Sequence, residues 1–131
     1  MTDQSYVLEV LKENADQNFG EDSKLRQKIV TGELVWGTPE HLAEYKDTAW
    51  DFLVGSDLIY AKEGIKPLVD TFEYLSQFAH PVTKAHSVVF MAIIRRFEWE
   101  QLFFDLMSHN FVQTKVVSAV LFIFFIFLFF F

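Results

Sequence analysis

Trp50-Asp51-Phe52-Leu53-Val54-Gly55-Ser56-Asp57-Leu58-Ile59-Tyr60 is the stretch on which the fold turns. Its centre, Phe52-Leu53-Val54, is apolar without alternation. Such a run suits a strand buried on both faces, because polar residues have no place on either side. Burial on both faces implies a parallel sheet between layers of helices. Ligands of such sheets bind beyond the carboxyl ends of the strands. Asp57 and Tyr60 follow the expected end of this strand and are the first candidates for chemistry. An ordinary reading stays open beside it: Asp57 caps the next turn and Tyr60 packs.

Downstream, residues 63–79 carry Ile65, Leu68, Phe72, Leu75 and Ala79 at helical spacing, which predicts a crossover helix. Pro67 falls in its first turn, where a missing amide donor costs little. A second unbroken apolar run, Val88-Val89-Phe90-Met91-Ala92-Ile93-Ile94, predicts a strand within residues 87–94, closed by Arg95-Arg96. Residues 98–109 predict a helix with Trp99, Leu102, Phe103, Leu106 and Met107 turned inward. Residues 111–115 alternate like an edge strand.

Upstream, residues 5–18 predict a helix with Val7, Leu8, Leu11 and Ala15 on one face, capped by Asp3 or Ser5 and ended by Phe19-Gly20. Residues 21–28 read as a loop, and residues 28–36 as a strand weakened by Gly32. Gly37-Thr38-Pro39 stops that strand, and Pro39 opens a helical turn. The order helix, strand, strand, helix, strand, helix, strand is an α/β alternation with right-handed crossovers. Strands near residues 29–35, 51–55 and 87–94 are expected in one sheet.

The 131 residues fit one domain, with residues 1–115 as its body and residues 116–131 as a separate tail. The net charge is -7, and every charged residue precedes Val116. An acidic body with no basic stripe argues against nucleic-acid binding. Without cysteine there is no disulfide, thiolate nucleophile or cysteine-ligated metal. The polar start, Met1-Thr2-Asp3-Gln4-Ser5-Tyr6, has no signal-peptide core, so a cytoplasmic body is expected.

The tail is uncharged and built from Phe, Ile, Leu, Val, Ala and one Ser. As a helix of about 16 residues it spans about 24 Å, against about 30 Å for a hydrocarbon core. Three readings compete: a membrane anchor, an element buried or mispaired against the body, and a fortuitous extension. The expectation put to the test is a helix from about Val116 that associates with membranes or detergent.

Few residues form a recognisable chemical motif. His41, His80, His86 and His109 show no metal-ligand spacing. No two of the five glycines stand as Gly-x-Gly, so no phosphate- or carboxylate-cradling loop is encoded. Arg95 and Arg96 could grip an anion, but such arginines more often cap or pair at the surface. Tyr45 and Trp50 are expected to pack rather than to form a stacking cage.

Four pieces together resemble a known family. Thr2-Asp3, then Val7-Leu8-Glu9-Val10-Leu11-Lys12-Glu13-Asn14 and Asn18, resembles the end of the second strand and the next helix in seven-strand S-adenosylmethionine-dependent methyltransferases. The branch is that of the methyltransferase-like protein-lysine methyltransferases. Leu34-Val35-Trp36-Gly37 resembles its Leu-x-Trp-Gly at the end of strand three. Residues 50–60 resemble its fourth strand with Asp-x-x-Tyr. Residues 90–104, with Arg95-Arg96, are similar to its fifth strand and following helix. The match covers roughly residues 2–115.

The resemblance implies a partial Rossmann-like fold that methylates a lysine of a protein substrate, with S-adenosylmethionine as cofactor. Asp3 is implied to accept the ribose hydroxyls and Trp36 to border the adenine. Ser56 and Asp57 are implied near the cofactor, and Asp57 and Tyr60 as catalytic groups facing the amine. The family's sheet order is 3-2-1-4-5-7-6. Counterparts of its first strand, its glycine-rich loop and most of its second strand are not among these residues. Strand four therefore has an adhesive open edge that a partner or a second copy could cover. The phenylalanine-rich tail stands in place of the family's last strand. The expectation is an incomplete site with weak or no activity, the alternative being a catalytically silent, membrane-associated interaction fragment.

Overall fold

The computed structural model describes residues 1–20, 23–119 and 122–129. Its centre is the expected crossover. Strand β3 (Phe52–Ser56) pairs in parallel with β4 (Val88–Ile93), and helix α3 (Ile65–Ser76) connects them. Register runs from Phe52↔Val88 to Ser56↔Ala92. Helix α4 (Gln101–Met107) follows β4 and packs beside α3.

The core lies on one face of β3 and β4. Leu53, Val89, Met91 and Ile93 meet Ile65, Leu68, Val69, Phe72 and Leu75 of α3 and Phe103, Phe104 and Met107 of α4. The helical periodicity of α3 thus finds its partner in the odd-numbered strand residues. Gly55 permits this close approach: a Cβ there would lie 2.6 Å from both the Met91 sulfur and a Leu58 methyl.

The opposite face corrects the expectation of burial on both sides. Phe52 is 60% exposed and Val54 78%. Phe52 instead pairs with Phe90 across the strands, ring centroids 5.6 Å apart. Among the described elements, both covering helices stand on the same face. An unbroken apolar run specifies strands that tolerate burial twice; it does not supply the second layer.

The single sheet expected from three runs is also corrected. Residues 29–35 contribute only β2 (Gly32–Glu33), which pairs in parallel with β1 (Thr2–Asp3) in a separate two-stranded sheet. Gly32 accounts for part of this: a Cβ there would lie 2.5 Å from the Tyr45 hydroxyl oxygen. The glycine that weakens the strand is the one that lets Tyr45 reach the Glu33 carbonyl, to which its hydroxyl donates at 3.2 Å. Helix α1 (Leu8–Phe19) lies between β1 and β2 in the chain, and the short helix α2 (Pro39–Glu44) follows β2. Val7, Leu8, Leu11 and Ala15 are its covered face, although only Ala15 is fully buried. Its start has no side-chain cap; Asp3 Oδ1 instead accepts the Gln4 amide at 2.7 Å. Leu102, expected inward, is 39% exposed, while Glu100 in the preceding turn is buried.

The apolar tail departs furthest from expectation. Its described residues form strands: β5 (Phe111–Ala119) and β6 (Phe122–Phe129), antiparallel to each other. Strand β6 also runs antiparallel to β4, giving the sheet order β3-β4-β6-β5. Phe, Ile and Val fit a pleated surface better than a helix, and a strand paired on both sides satisfies its whole backbone. The last strand is therefore inserted antiparallel beside β4, where the resemblance places the final strand of the family. No described helix is long and apolar enough to cross a membrane.

Candidate functional site

Two parallel strands that end together bring their following residues together. Asp57 comes immediately after β3, and its amide donates to the Ala92 carbonyl of β4 at 2.9 Å. Its φ is 54°, a left-handed conformation that Asp tolerates better than most residues. Its Oδ2 accepts from Arg96 Nη2 at 2.9 Å, both side chains being about two-fifths exposed (41% and 43%). The bond to Asp57, and then its charge, raise the guanidinium pKa above its already high value. The Arg96 amide in turn donates to Glu100 Oε2 at 2.8 Å. Glu100 is 1% exposed, and its other oxygen has no hydrogen-bond partner among the described residues.

The second cluster is aromatic. Trp36 and Tyr60 lie with ring centroids 6.0 Å apart and planes at 50°. They are 24 residues apart in sequence (60 less 36) and come from different motifs. Gly64 supports the same indole, for a Cβ there would lie 3.5 Å from it. Gly37 fixes the backbone after Trp36: its φ is 70°, and its amide donates to Thr71 Oγ1 on α3 at 2.9 Å. Just before Trp36, the Val35 amide donates to His41 Nδ1 at 3.0 Å. Tyr60 itself is 61% exposed.

Thus Ser56 ends β3 and Asp57 and Tyr60 follow it, whereas Trp36 lies beyond β2 rather than at the end of the strand expected over residues 28–36. Asp3 stands apart on the β1–β2 ladder. Its carbonyl accepts the Leu34 amide at 2.9 Å, two residues before Trp36, but none of the described side-chain bonds joins Asp3 to Asp57 or Tyr60. A shallow concavity of about 670 Å³ lies elsewhere, against Asp47, Thr48, Phe78 and His80, at the amino-terminal side of β3 and β4. It is therefore remote from these residues in the sheet. Among the described residues no group of three or more His, Cys, Asp or Glu could hold a metal.

A family model described as lysine methyltransferase matches residues 1–110. The chain belongs to that family. Protein N-lysine methyltransferase METTL21A of Mus musculus is 30% identical over 116 residues, which is 88% of this chain and 48% of that protein. The METTL21A proteins of Danio rerio and Xenopus tropicalis are 30% and 29% identical, again over 88% of this chain and 48% of theirs. The chain thus spans about half the length of the curated relatives it matches. The matched span holds all five candidate residues.

Sequence reasoning missed three contacts here. Arg96 was open to reading as an anion grip or a surface partner; it is the partner of Asp57. The signal was available, since Asp57 and Arg96 each follow one of two parallel neighbouring strands. Thr71 receives Gly37, and His41 receives Val35; both depend on side-chain orientation that helical spacing leaves open. Tyr45 and Trp50 lie with ring centroids 6.3 Å apart, and Trp50 is exposed.

Proposed function

We propose that this chain is a protein-lysine N-methyltransferase-like protein, and that its 131 residues carry the nucleoside-facing and amine-facing parts of the site. Family membership implies S-adenosylmethionine as donor and a protein lysine as acceptor. The observation that carries the reading is the meeting of Trp36 with Tyr60 at 6.0 Å, which joins the Leu-x-Trp-Gly motif to the Asp-x-x-Tyr motif that begins at Asp57.

The side chains fit the nucleoside half of the donor. One carboxylate oxygen of Asp3 is held by Gln4, which leaves Oδ2 as an acceptor for ribose hydroxyls. The half-buried Trp36 indole, braced by Gly64, offers a flat edge to an adenine. The methionine half finds no counterpart. The sequence has no Gly-x-Gly, and the Gly37 amide is already given to Thr71. No step is therefore derived through the donor. Asp57 and Tyr60 bind and orient a lysine amine, the carboxylate and phenol oxygens accepting its N–H bonds. By themselves these residues have negligible turnover, because transfer demands a reactive carbon fixed about 3 Å from the amine.

A second, non-catalytic reading draws on the bare face of β3. Exposed Phe52 and Val54 on an open edge strand suit a protein-binding surface. Radiolabelled donor with cell lysate tests the claim of negligible turnover. Transfer at background is expected from the purified chain. Clear transfer that vanishes in Asp57→Ala would place a working site at Asp57 and refute the claim of negligible turnover. Transfer that survives Asp57→Ala would remove Asp57 from the acceptor role.

A further inference from the structure

Arg96 and Asp57 form an ion pair held from both sides by backbone bonds. The Asp57 amide is tied to Ala92, and the Arg96 amide is tied to the buried Glu100. The backbone at each end of the pair is thereby fixed. Yet a pair this exposed adds little to stability. Two backbone anchors and a left-handed Asp are more than a surface contact requires, so what they fix is the orientation of the carboxylate.

We propose that Arg96 is a positioning residue of the acceptor site: it holds Asp57 by Oδ2 and offsets its charge, so that Oδ1 receives a lysine as the neutral amine. This rests on the reading above that Asp57 meets the target lysine. A lysine accepts a methyl group only through its nitrogen lone pair, which the ammonium form lacks. An unopposed carboxylate favours that ammonium form, whereas a nearby cation disfavours it. Asp57 alone would thus bind lysine in its unreactive state. With Arg96 attached, the carboxylate keeps one free oxygen to orient an N–H bond while the pair carries no net charge.

The other charged or titratable groups near these strand ends are Tyr60, Lys62 and Glu63 after β3, and Arg95, Glu98 and Glu100 after β4. Arg95 is committed elsewhere, to the Gln101 amide oxygen at 3.1 Å and over the Phe104 ring at 5.2 Å. Glu100 is buried beneath the Arg96 backbone. Among the described side-chain bonds of Asp57, Arg96 supplies the cation.

The test needs no turnover. Nα-acetyl-lysine-N-methylamide, a cation at neutral pH, is titrated into the full chain and followed by NMR. Arg96→Gln is expected to bind this cation about fivefold more tightly than wild type, because Asp57 is then unopposed. Arg96→Lys is expected to restore wild-type affinity, and Asp57→Asn to abolish the gain when combined with Arg96→Gln. Arg96→Met serves as a second neutral variant that keeps an apolar stem, and thermal unfolding confirms that each variant folds. Unchanged or lowered affinity overturns the proposal. A gain that survives Asp57→Asn overturns the acceptor reading itself, while a missing gain removes only Arg96.

Discussion

Helices α1 and α3 are both 12 residues long, yet α3 buries seven residues and α1 buries Ala15 alone. Both are amphipathic. The difference lies in what each one faces. The stripe of α3 meets two strands and α4. Helix α1 contacts the short turns at Ser5–Val7 and Arg26–Lys28, and the sheet that flanks it in the chain has only two residues per strand. A periodic sequence makes a helix face; only a matching surface makes a core. The chain is thus a unit built on the β3-β4-β6-β5 sheet with α3 and α4, and an arm, residues 1–36, that joins the core through Leu34 and Trp36. The Arg26–Asp16 ion pair fastens α1 to the loop that follows it. The Tyr45–Glu33 and Gly37–Thr71 bonds fasten the arm and the turn after it to the rest. Trp36 stands at that junction, so the proposed site depends on both parts.

The largest effect is expected where packing is complete. Phe103 is fully buried, and Phe103→Ala should cost about 3–5 kcal/mol in urea unfolding. Leu11→Ala, on the covered face of α1, should cost about 1 kcal/mol or less. Equal costs would abolish the contrast between core and arm.

At the junction, Gly37→Ala meets a positive φ and Pro67 atoms at 3.1 and 3.3 Å from the added Cβ. A loss of about 1–3 kcal/mol is expected, together with a change in Trp36 fluorescence. A neutral substitution would mean that the turn relaxes without disturbing the junction.

Within the arm, Arg26→Ala removes the partner of Asp16. Hydrogen exchange in α1 should quicken while the global midpoint moves by less than about 1 kcal/mol. Slowed exchange in α3 relative to α1 should persist in every variant.

The smallest effect is alkaline. Burial first, and then Glu44, raise the Tyr45 pKa above its ordinary 10.0. The folded state therefore holds this proton more tightly than the unfolded one. Stability attributable to the neutral phenol is complete below pH 10.0 and falls as pH rises from there through the folded pKa. Urea midpoints above and below that value should differ more for wild type than for Tyr45→Phe. An unchanged slope in Tyr45→Phe would assign the alkaline loss to another group.

The parallel β3–α3–β4 unit was legible because two apolar runs and an amphipathic helix each specify their own element. The position of Asp57 and Tyr60 beyond β3 followed from the same reading. The bare face of Phe52 and Val54 was not legible, since an apolar run looks the same whether or not a second layer exists. The place of β2 was hidden because two residues and a glycine leave no period to read. The tail was misread for a related reason: Phe, Ile and Val suit a membrane helix and a doubly paired strand alike, and pairing with β4 is a long-range event. In the site, motif residues were visible, whereas the bonds that aim them, Arg96 to Asp57 and Gly37 to Thr71, arise only once separate elements pack.

We propose that these residues hold the nucleoside and the amine but not the methionine end of the donor. Calorimetric titration of the full chain with adenosine and with S-adenosylhomocysteine tests it most directly. The two ligands should bind with comparable, weak affinity, and Trp36→Ala should abolish both. S-adenosylhomocysteine binding about a hundredfold tighter than adenosine would contradict the account, because several further hydrogen bonds would then hold the methionine end.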